Sequence, residues 1–526
     1  MLGYQSNHAD KSKYASLLGN CRYIIIAVVK VVPTMDLHTV DPPSEVSDLR
    51  TTQAPTLCVD LDGTLLNGNL LWECFLSLLK TQPAALLLVP FWLLAGRARL
   101  KQELARRARI DVTALPYRDD VLRFLEAERH SGRRVVLVTG ADRELAQRVA
   151  DYTGVFDQVF GSSGGHNLQG AVKAEFLRER FGEGHFDYVG NSRADLKIWR
   201  VARAAYVVSD RGLWKRAAGV TEVRRLFEVK SPPLRTWVRA LRGHHWSKNL
   251  LLFLPLALAH RFSVHDVGLT VLGFLLFGMC ASGLYILNDL LDLHSDRGHP
   301  WKRKRPFAAG EISIGEGLLI SFVLLAGSLG EAFLLTPGFG IALAGYAVLT
   351  MWYSLHLKRV VLLDAFVLSS FYCIRIFAGA LITWVPLSHW FLTFSLFLFL
   401  SLAMAKRYSE LVHAEGLIER GQSGRGYLGR DKEVLMALGI ASSFSAVVVF
   451  SLYVHSPEVL ALYRSPEPLL LLAPILLYWL SRVWLQAHRG ELHDDPITLA
   501  LRDPASRAVA AACLLVIALS MLHIGF

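Results

Sequence analysis

Cysteine is scarce in this chain, with only six among 526 residues. No two of them lie at the spacing of a metal site or a redox motif. The sequence therefore gives no support for a zinc or iron–sulfur protein or for a disulfide framework, and we expect all six to be reduced packing residues. They are Cys21, Cys58, Cys74, Cys280, Cys373 and Cys513.

Charged residues are sparse over most of the C-terminal half. Hydrophobic residues make up 52% of the chain, and beyond about residue 230 they form long apolar runs. Most of these runs have the roughly 20 residues that a helix needs to cross a bilayer. The runs predict nine spans, at residues 249–262, 267–288, 314–335, 339–354, 361–383, 388–405, 433–455, 467–485 and 507–525.

Basic residues are unevenly divided among the segments that join the predicted spans. Residues 289–312, 355–360, 406–432 and 482–507 contain 17 Lys or Arg, whereas the opposite segments contain only Arg261 and Arg464. Because cytoplasmic loops are the basic ones, we expect these four segments and the N-terminal domain to be cytoplasmic, in a plasma or inner membrane. Nine spans then place the C-terminus outside. The net charge of +11 suits such loops and anionic headgroups, so no nucleic-acid partner is needed.

The sequence divides into four regions. Residues 1–53 are expected to be a disordered extension or an artefact of start assignment, and residues 54–228 to be a soluble α/β domain with a helical cap at about 70–130. Residues 229–248 are expected to form a basic, aromatic linker at the membrane interface. Residues 249–526 are the predicted transmembrane domain.

Several polar residues of the soluble domain follow predicted buried strands. Asp60 and Asp62 end the strand that starts at Thr56, and Thr139 ends the strand that starts at Arg134. Open α/β sheets bind their ligands at the carboxyl ends of their strands. Further along, a helix at Ala171–Phe181 contains Lys173, and a polar turn contains Asn191 and Asp195.

These motifs resemble the haloacid dehalogenase (HAD) superfamily of phosphatases. The resemblance implies a Rossmann-like fold in which Asp60 attacks phosphorus and Asp62 protonates the leaving oxygen. It implies that Thr139 and Lys173 neutralise phosphoryl oxygens, and that Mg²⁺ is held by Asp60, Asp62, Asn191 and Asp195.

One position departs from the HAD pattern. The family's usual acidic residue after Gly190 is Asn191 here, so Asp195 is the only carboxylate of that turn. An amide oxygen brings no charge to a metal, and we expect weaker Mg²⁺ binding. Both a working phosphatase and a weakened or regulatory remnant remain open.

The cap region contains an apolar segment, Ala84–Ala95, followed by basic residues that include Arg97 and Lys101. One interpretation is a cap that docks on a membrane surface, with its apolar side inserted and its basic residues on headgroups. The alternative is a buried cap helix with a solvated basic face.

An acidic motif follows the second predicted span. Asn288, Asp292 and Asp296 recur every four residues, so on a helix they share one face. Carboxylates at a membrane surface are costly unless they contact cations, and oxygen ligands suit Mg²⁺ with a bound diphosphate. The basic residues Lys302 and Arg305 follow at once.

A second polar region begins near Tyr353 and Lys358. Asp364 and Arg375 follow within an apolar span, three helical turns apart, where buried charges are usually functional. They are predicted to line one cavity or, alternatively, to form a structural ion pair. The loop at 406–432, with Lys406, Arg407, Arg425 and Tyr427, either covers the site or is a plain basic loop.

The acidic motif and the nine spans resemble the UbiA prenyltransferase superfamily. The surrounding residues, Asp296 to Pro306 and Tyr353 to Lys358, resemble its decaprenyl-phosphate phosphoribosyltransferase branch, which works in cell-wall biosynthesis. Prenyl-diphosphate users of the superfamily carry two carboxylates in a second acidic motif, where this sequence has Asp364 alone. One carboxylate fewer suits a second substrate that brings its own negative charge.

The resemblance implies transfer of 5-phosphoribose from phosphoribosyl diphosphate to a polyprenyl phosphate. Mg²⁺ on Asn288, Asp292 and Asp296 is expected to take the charge of the leaving diphosphate. Substrate-binding roles are expected for the residues Lys248, Arg297, Lys302, Arg305, Tyr353, Lys358, Asp364 and Arg375.

Three hypotheses follow. In the first, the membrane domain transfers 5-phosphoribose to the lipid phosphate, and the HAD-like domain then removes the 5-phosphate of the product. The second is a prenyl-diphosphate-dependent aromatic prenyltransferase of the quinone type with a regulatory or degenerate HAD-like domain. The third is a non-catalytic membrane scaffold. The sequence leaves a homo-oligomer open.

Overall fold

The computed structural model describes residues 54–163, 166–413, 426–463, 465–492 and 503–521. The predicted extension at 1–53 and Arg425 lie outside these residues. All five cysteines of the described part are free thiols.

The N-terminal domain is built on a parallel sheet with the order β3-β2-β1-β4-β5-β6. The strands β1, β2, β4 and β5 are rich in apolar residues and largely buried, as expected for the centre of a parallel sheet. The strands are β1 (Thr56–Val59), β2 (Val135–Asp142), β3 (Gln158–Ser162), β4 (Phe186–Gly190), β5 (Ala204–Ser209) and β6 (Glu222–Glu228).

Helices connect these strands and cover both faces of the sheet, which gives two apolar layers. The first three, α1 (Leu70–Thr81), α2 (Val89–Leu94) and α3 (Arg97–Arg107), form the cap between β1 and the rest of the domain. A 3₁₀ turn at Pro83–Leu88 joins α1 to α2. The remaining helices are α4 (Asp119–His130), α5 (Arg143–Thr153), α6 (Ala171–Phe181), α7 (Leu196–Trp199) and α8 (Arg211–Ala218).

The described residues beyond β6 are predominantly helical. After α9 (Leu234–Leu241), a 3₁₀ segment at Gly243–Phe253 leads into the short helix α10 (Leu254–Leu258). The longer helices and their connectors are α11 (Val264–Leu291), α12 (Leu293–Arg297), α13 (Ile314–Leu335), α14 (Pro337–Leu355), α15 (Leu363–Thr383), α16 (His389–His413), α17 (Lys432–Val454), α18 (Pro457–Leu462), α19 (Leu472–His488) and α20 (Pro504–Met521).

Eight of the nine predicted spans correspond to helices long and apolar enough to cross a membrane, within the described ranges. The exception is residues 249–262, where the expected span is instead the end of the 3₁₀ segment and the five-residue helix α10. Tertiary packing explains the difference. A side chain at Gly379 of α15 would lie only 2.1 Å from the backbone oxygen of Leu252, so the two backbones are in direct contact.

The acidic motif lies where α11 gives way to α12. Asp292 separates the two helices, but its N–H still donates to the Asn288 carbonyl at 2.9 Å, and Asp296 N–H donates to the Asp292 carbonyl at 2.9 Å. Helical spacing is therefore kept across the junction, and the three residues share one side of it, as predicted.

Candidate active sites

Asp60 follows β1 at the carboxyl edge of the sheet, beside Lys173 of α6. The Lys173 ammonium lies 2.7 Å from Asp60 Oδ1 and also donates to the Tyr188 hydroxyl at 3.1 Å. Asp60 and Lys173 are both buried. The sheet thus joins a carboxylate and a lysine that are 113 residues apart in the sequence.

Asp62 faces the start of the cap. Its Oδ1 accepts a hydrogen bond from the backbone N–H of Leu70, the first residue of α1, at 2.8 Å. Burial raises the pKa of the Asp62 carboxyl to about 6, with a smaller contribution from the neighbouring Asp60 charge. A carboxyl group with this pKa holds a proton in a useful fraction of molecules near neutral pH, as a general acid requires.

The polar turn after β4 is braced by Asp195. Asp195 Oδ2 accepts hydrogen bonds from Asn191 N, Ser192 N and Ser192 Oγ at 2.7–3.1 Å. This oxygen is therefore saturated by its own turn. Asn191 approaches Gly63 so closely that a Cβ there would lie 2.0 Å from its side-chain nitrogen, and Gly63 also has a φ of +76°.

Thr139 is fully buried near the end of β2, and its hydroxyl accepts from the Ala141 N–H at 3.0 Å. The neighbouring residue, Gly140, lines a cavity of about 440 Å³. The core domain contributes to this cavity the predicted residues Asp60, Asp62, Lys173, Asn191 and Asp195. Five of the six predicted HAD residues thus border one space.

The cap closes the other side of this cavity. Leu93, Arg97, Leu100 and Lys101 line it, and the Lys101 ammonium donates to Gly140 O at 2.5 Å and to Asn167 Oδ1 at 2.9 Å. Burial lowers the pKa of Lys101. Sequence patterns placed Arg97 and Lys101 on a basic face, whereas the structure puts them at the cavity.

Tyr188 has no counterpart in the sequence prediction. Its hydroxyl lies between Lys173 and Asp195, donating to Asp195 Oδ1 at 3.3 Å. Burial raises the pKa of Tyr188 well above its usual value, so it remains a hydrogen-bond donor. A phenol in a buried strand, three residues before Asn191 of the polar turn, was the available signal.

The apolar segment of the cap is exposed, which contradicts the buried-helix alternative. Leu87, Phe91 and Leu94 are 76%, 66% and 86% exposed. Its inner side packs on the domain through Leu86 and Trp92. The segment therefore presents an apolar surface directly beside the cavity that contains Asp60.

The carboxylates of the acidic motif contact cations rather than one another. Arg305 lies 2.7 Å from Asp296 and 3.0 Å from Asp289, which also pairs with Arg242. Asp292 pairs with Lys358 at 2.8 Å. The structure thus brings the predicted Arg305 and Lys358 to the motif and adds Asp289 and Arg242.

Two residues of the HAD-like domain also reach this motif. Lys80 Nζ lies 3.6 Å from Asp292 Oδ1, and Glu73 Oε1 lies 2.7 Å from the Arg297 guanidinium. Arg297, which was predicted to bind substrate, thus pairs with a residue of the HAD-like domain. Lys302 lies in an exposed 3₁₀ turn.

Asp364 and Arg375 do not pair with each other. Asp364 is fully buried and pairs with Arg407, while its other oxygen accepts from the Tyr427 hydroxyl. The predicted Tyr353 joins this group, because its hydroxyl accepts from Arg407 at 2.9 Å. The described end of the 406–432 loop therefore packs against the second polar region.

Arg375 lies deeper among helices. It donates to Asn249 Oδ1 at 3.0 Å, to Tyr346 OH at 3.1 Å and to the Phe371 carbonyl at 2.6 Å. Lys248, next to Asn249, places its ammonium 5.6 Å from the centre of the Tyr372 ring. Both predicted cations therefore lie where the 3₁₀ segment meets α15.

The side chains of the acidic motif offer the oxygen ligands that a divalent cation such as Mg²⁺ prefers. Asn288, Asp292 and Asp296 supply oxygen ligands, and the described partners of the Asp292 carboxylate are flexible lysine side chains that can turn aside. Within the described ranges, no three His, Cys, Asp or Glu side chains are already grouped as a metal site. In the HAD-like domain, Asp60 and Asn191 offer oxygens at the cavity, while Asp195 is positioned to support the turn.

Sequence profiles identify the two domains. The UbiA prenyltransferase family matches residues 249–497, and haloacid dehalogenase-like hydrolases match residues 57–200. The chain belongs to the UbiA prenyltransferase family and carries an N-terminal HAD-like domain.

Three relatives span different parts of the chain. The protein y4nM of Sinorhizobium fredii is 41% identical over 87% of this chain and 89% of its own length. The nodulation protein NoeC of Azorhizobium caulinodans is 35% identical over 56% of this chain and 94% of its own. The decaprenyl-phosphate phosphoribosyltransferase of Mycobacterium tuberculosis is 38% identical over 34% of this chain and 61% of that enzyme.

A solved UbiA homologue from Archaeoglobus fulgidus, bound to GPP and Mg²⁺, is 18% identical. It covers 54% of this chain and 99% of its own, with a TM-score of 0.42.

Proposed function

We propose that the membrane domain transfers 5-phosphoribose from phosphoribosyl diphosphate to a polyprenyl phosphate, with Mg²⁺. We further propose that the HAD-like domain, on the cytoplasmic side, removes the 5-phosphate from the lipid product. The similarity to decaprenyl-phosphate phosphoribosyltransferase supports the first step. The cavity around Asp60 and Asp62 supports the second.

The hydrogen-bond partners of Asp364 are the observation that favours phosphoribosyl diphosphate over a prenyl diphosphate as the donor. Asp364 is the fully buried carboxylate of the second polar region, and Arg407 and Tyr427 occupy both of its oxygens. A carboxylate engaged in this way is poorly suited to hold a second metal for a prenyl diphosphate. The acidic motif of Asn288, Asp292 and Asp296 would then bind the single diphosphate of the donor. Cations such as Lys358 would be available to bind the phosphate of the acceptor lipid.

The transfer breaks the bond between ribose C1 and the diphosphate oxygen and forms a bond from C1 to an oxygen of the lipid phosphate. The diphosphate leaves with the electron pair of the broken bond. Because the attacking oxygen is already an anion, no general base is required. Mg²⁺ held by Asn288, Asp292 and Asp296 would neutralise the leaving diphosphate, and Arg305 holds Asp296 in place.

Removal of the 5-phosphate uses the HAD-like cavity. The Asp60 carboxylate attacks phosphorus, the bond to the ribose oxygen breaks, and Asp62 gives that oxygen its proton. Water then releases phosphate from the aspartyl-phosphate. Lys173, 2.7 Å from Asp60, orients the nucleophile and offsets phosphoryl charge.

The deciding experiment incubates membranes containing the protein with labelled phosphoribosyl diphosphate and polyprenyl phosphate. We expect label in a phosphorylated lipid and then in its dephosphorylated form, and no transfer after EDTA removes Mg²⁺. Transfer from a labelled prenyl diphosphate to an aromatic acceptor would instead support the quinone-type alternative. Absence of any Mg²⁺-dependent turnover would revive the scaffold hypothesis.

A further inference from the structure

Helix α1 of the HAD-like domain packs against the part of the membrane domain that carries the acidic motif. Glu73 and Arg297 form an ion pair at 2.7 Å whose side chains are only 10% and 9% exposed. Asn67, just before α1, donates to the Gly310 carbonyl at 2.8 Å. These contacts fix the position of α1 relative to the motif.

The last turn of α1 brings Lys80 to Asp292. Lys80 lies seven residues after Glu73, about two helical turns, so both side chains face the membrane domain. Lys80 Nζ is 3.6 Å from Asp292 Oδ1, and Lys358 Nζ is 2.8 Å from Oδ2 of the same carboxylate. Asp292 therefore lies between one lysine from each domain.

Lys80 alters the charge balance around the motif. The membrane domain places the cations Arg242, Arg305 and Lys358 against the carboxylates Asp289, Asp292 and Asp296. These charges balance one another. Lys80 adds a fourth cation from the other domain, so the group carries a net positive charge that attracts an anionic ligand.

A role in stability explains Lys80 poorly. Its side chain is 34% exposed, its contact with Asp292 is long, and that carboxylate already has Lys358 as a closer partner. Partly exposed pairs of this kind contribute little to folding. The buried Glu73–Arg297 pair and the packing of Leu76 against Ile286 and Leu290 are stronger candidates for holding the domains together.

We propose that Lys80 completes the transferase site and contacts the diphosphate group of the donor. The identity of the donor rests on the function proposed above, whereas the recognition of a diphosphate by Lys80 does not. A metal ion that took over Asp292 would leave the ammonium groups of Lys80 and Lys358 for diphosphate oxygens. The HAD-like domain thus acts in the first reaction as a supplier of a binding group.

The test compares Lys80→Met with Lys80→Arg in the full chain. Lys215→Met is the matched control, because Lys215 is an exposed lysine on α8 of the same domain. We expect Lys80→Met to raise KM for the diphosphate donor about tenfold and to change kcat less than about threefold. A contact that is made equally in the bound substrate and in the transition state affects KM and leaves kcat nearly unchanged when it is lost. Lys80→Arg restores most of the affinity, and Lys215→Met matches the wild type.

A second measurement separates this inference from the proposed function. Inorganic diphosphate with Mg²⁺ is titrated against thermal unfolding of the detergent-solubilised protein. Half-maximal protection of Lys80→Met at about tenfold higher diphosphate supports the Lys80 contact, even if phosphoribosyl diphosphate proves not to be a donor. Unchanged KM and unchanged protection in Lys80→Met, or no protection of the wild type, would overturn it.

Discussion

At the level of single side chains, Asp60 and Lys173 form the central pair of the HAD-like cavity, at 2.7 Å. Asp60→Asn keeps the shape of the nucleophile but removes its charge. We expect it to reduce dephosphorylation by at least about 10³-fold, because the covalent step is lost. Transfer of phosphoribose should continue, so the phosphorylated lipid accumulates and is measured by mass spectrometry. Loss of phosphate at the wild-type rate would contradict the role of Asp60.

Asp364 permits a second prediction, about stability. Arg407 is buried with Asp364 and also contacts Glu410, which is 39% exposed. Asp364→Asn leaves a buried guanidinium without its main counter-charge and is expected to cost about 3 kcal/mol. Glu410→Gln removes an equal charge at the surface and should cost less than about 1 kcal/mol.

Thermal unfolding of both variants in detergent measures this difference. Equal destabilisation by the two substitutions would mean that the Asp364–Arg407 pair is not the dominant contact of Arg407. A lower unfolding temperature for Asp364→Asn alone would show that Asp364 stabilises the fold, whether or not it also binds substrate.

Among the elements, the exposed segment Pro83–Leu94 carries the next prediction. It is apolar, it borders the HAD-like cavity through Leu93, and Arg97 follows it. We expect it to insert into the bilayer interface and so bring the cavity to lipid-borne phosphates. Replacing Leu87, Phe91 and Leu94 together by Ser should lower hydrolysis of a lipid-anchored phosphomonoester by about tenfold or more, because apolar burial is lost.

The same variant should hydrolyse a soluble phosphomonoester at the wild-type rate. Val172→Ser, which changes an exposed apolar residue of α6, is the control and should affect neither substrate. Equal loss on both substrates would show that the segment supports the fold of the cap and not lipid access.

Sequence periodicity predicts most elements because their signals are local. The strand of Asp60, the helix of Lys173 and eight long apolar helices are all in place. Residues 249–262 are the exception, because apolar composition does not reveal that Leu252 would pack its backbone on Gly379. Pro255, which has no N–H to donate, also opposes a continuous helix through this segment.

The site could be predicted only in part, for a similar reason. Regular spacing identifies Asn288, Asp292 and Asp296, and basic composition identifies Arg305 and Lys358. Lys80, Glu73 and Arg242 are far away in sequence and have no distinctive local pattern. Their roles depend on how the two domains are packed, which a single sequence does not contain.

For the molecule as a whole, the Glu73–Arg297 pair is one of the contacts that position α1 on the membrane domain, beside the packing of Leu76. If it holds α1 in place, its loss should release Lys80 from the motif. Glu73→Gln is therefore expected to raise KM for the diphosphate donor, as Lys80→Met does. Unlike Lys80→Met, it should also destabilise the protein by roughly 3 kcal/mol, because Arg297 keeps a buried charge without a partner.

The exchanged pair Glu73→Arg with Arg297→Glu distinguishes positioning from direct binding. If the pair serves to hold the domains, the double variant should recover both stability and donor affinity relative to either single substitution, by a coupling energy of about 1–3 kcal/mol. If Arg297 binds substrate itself, as its place beside the acidic motif first indicated, stability returns but donor affinity does not. Measuring the unfolding temperature and KM on the same four proteins separates these outcomes.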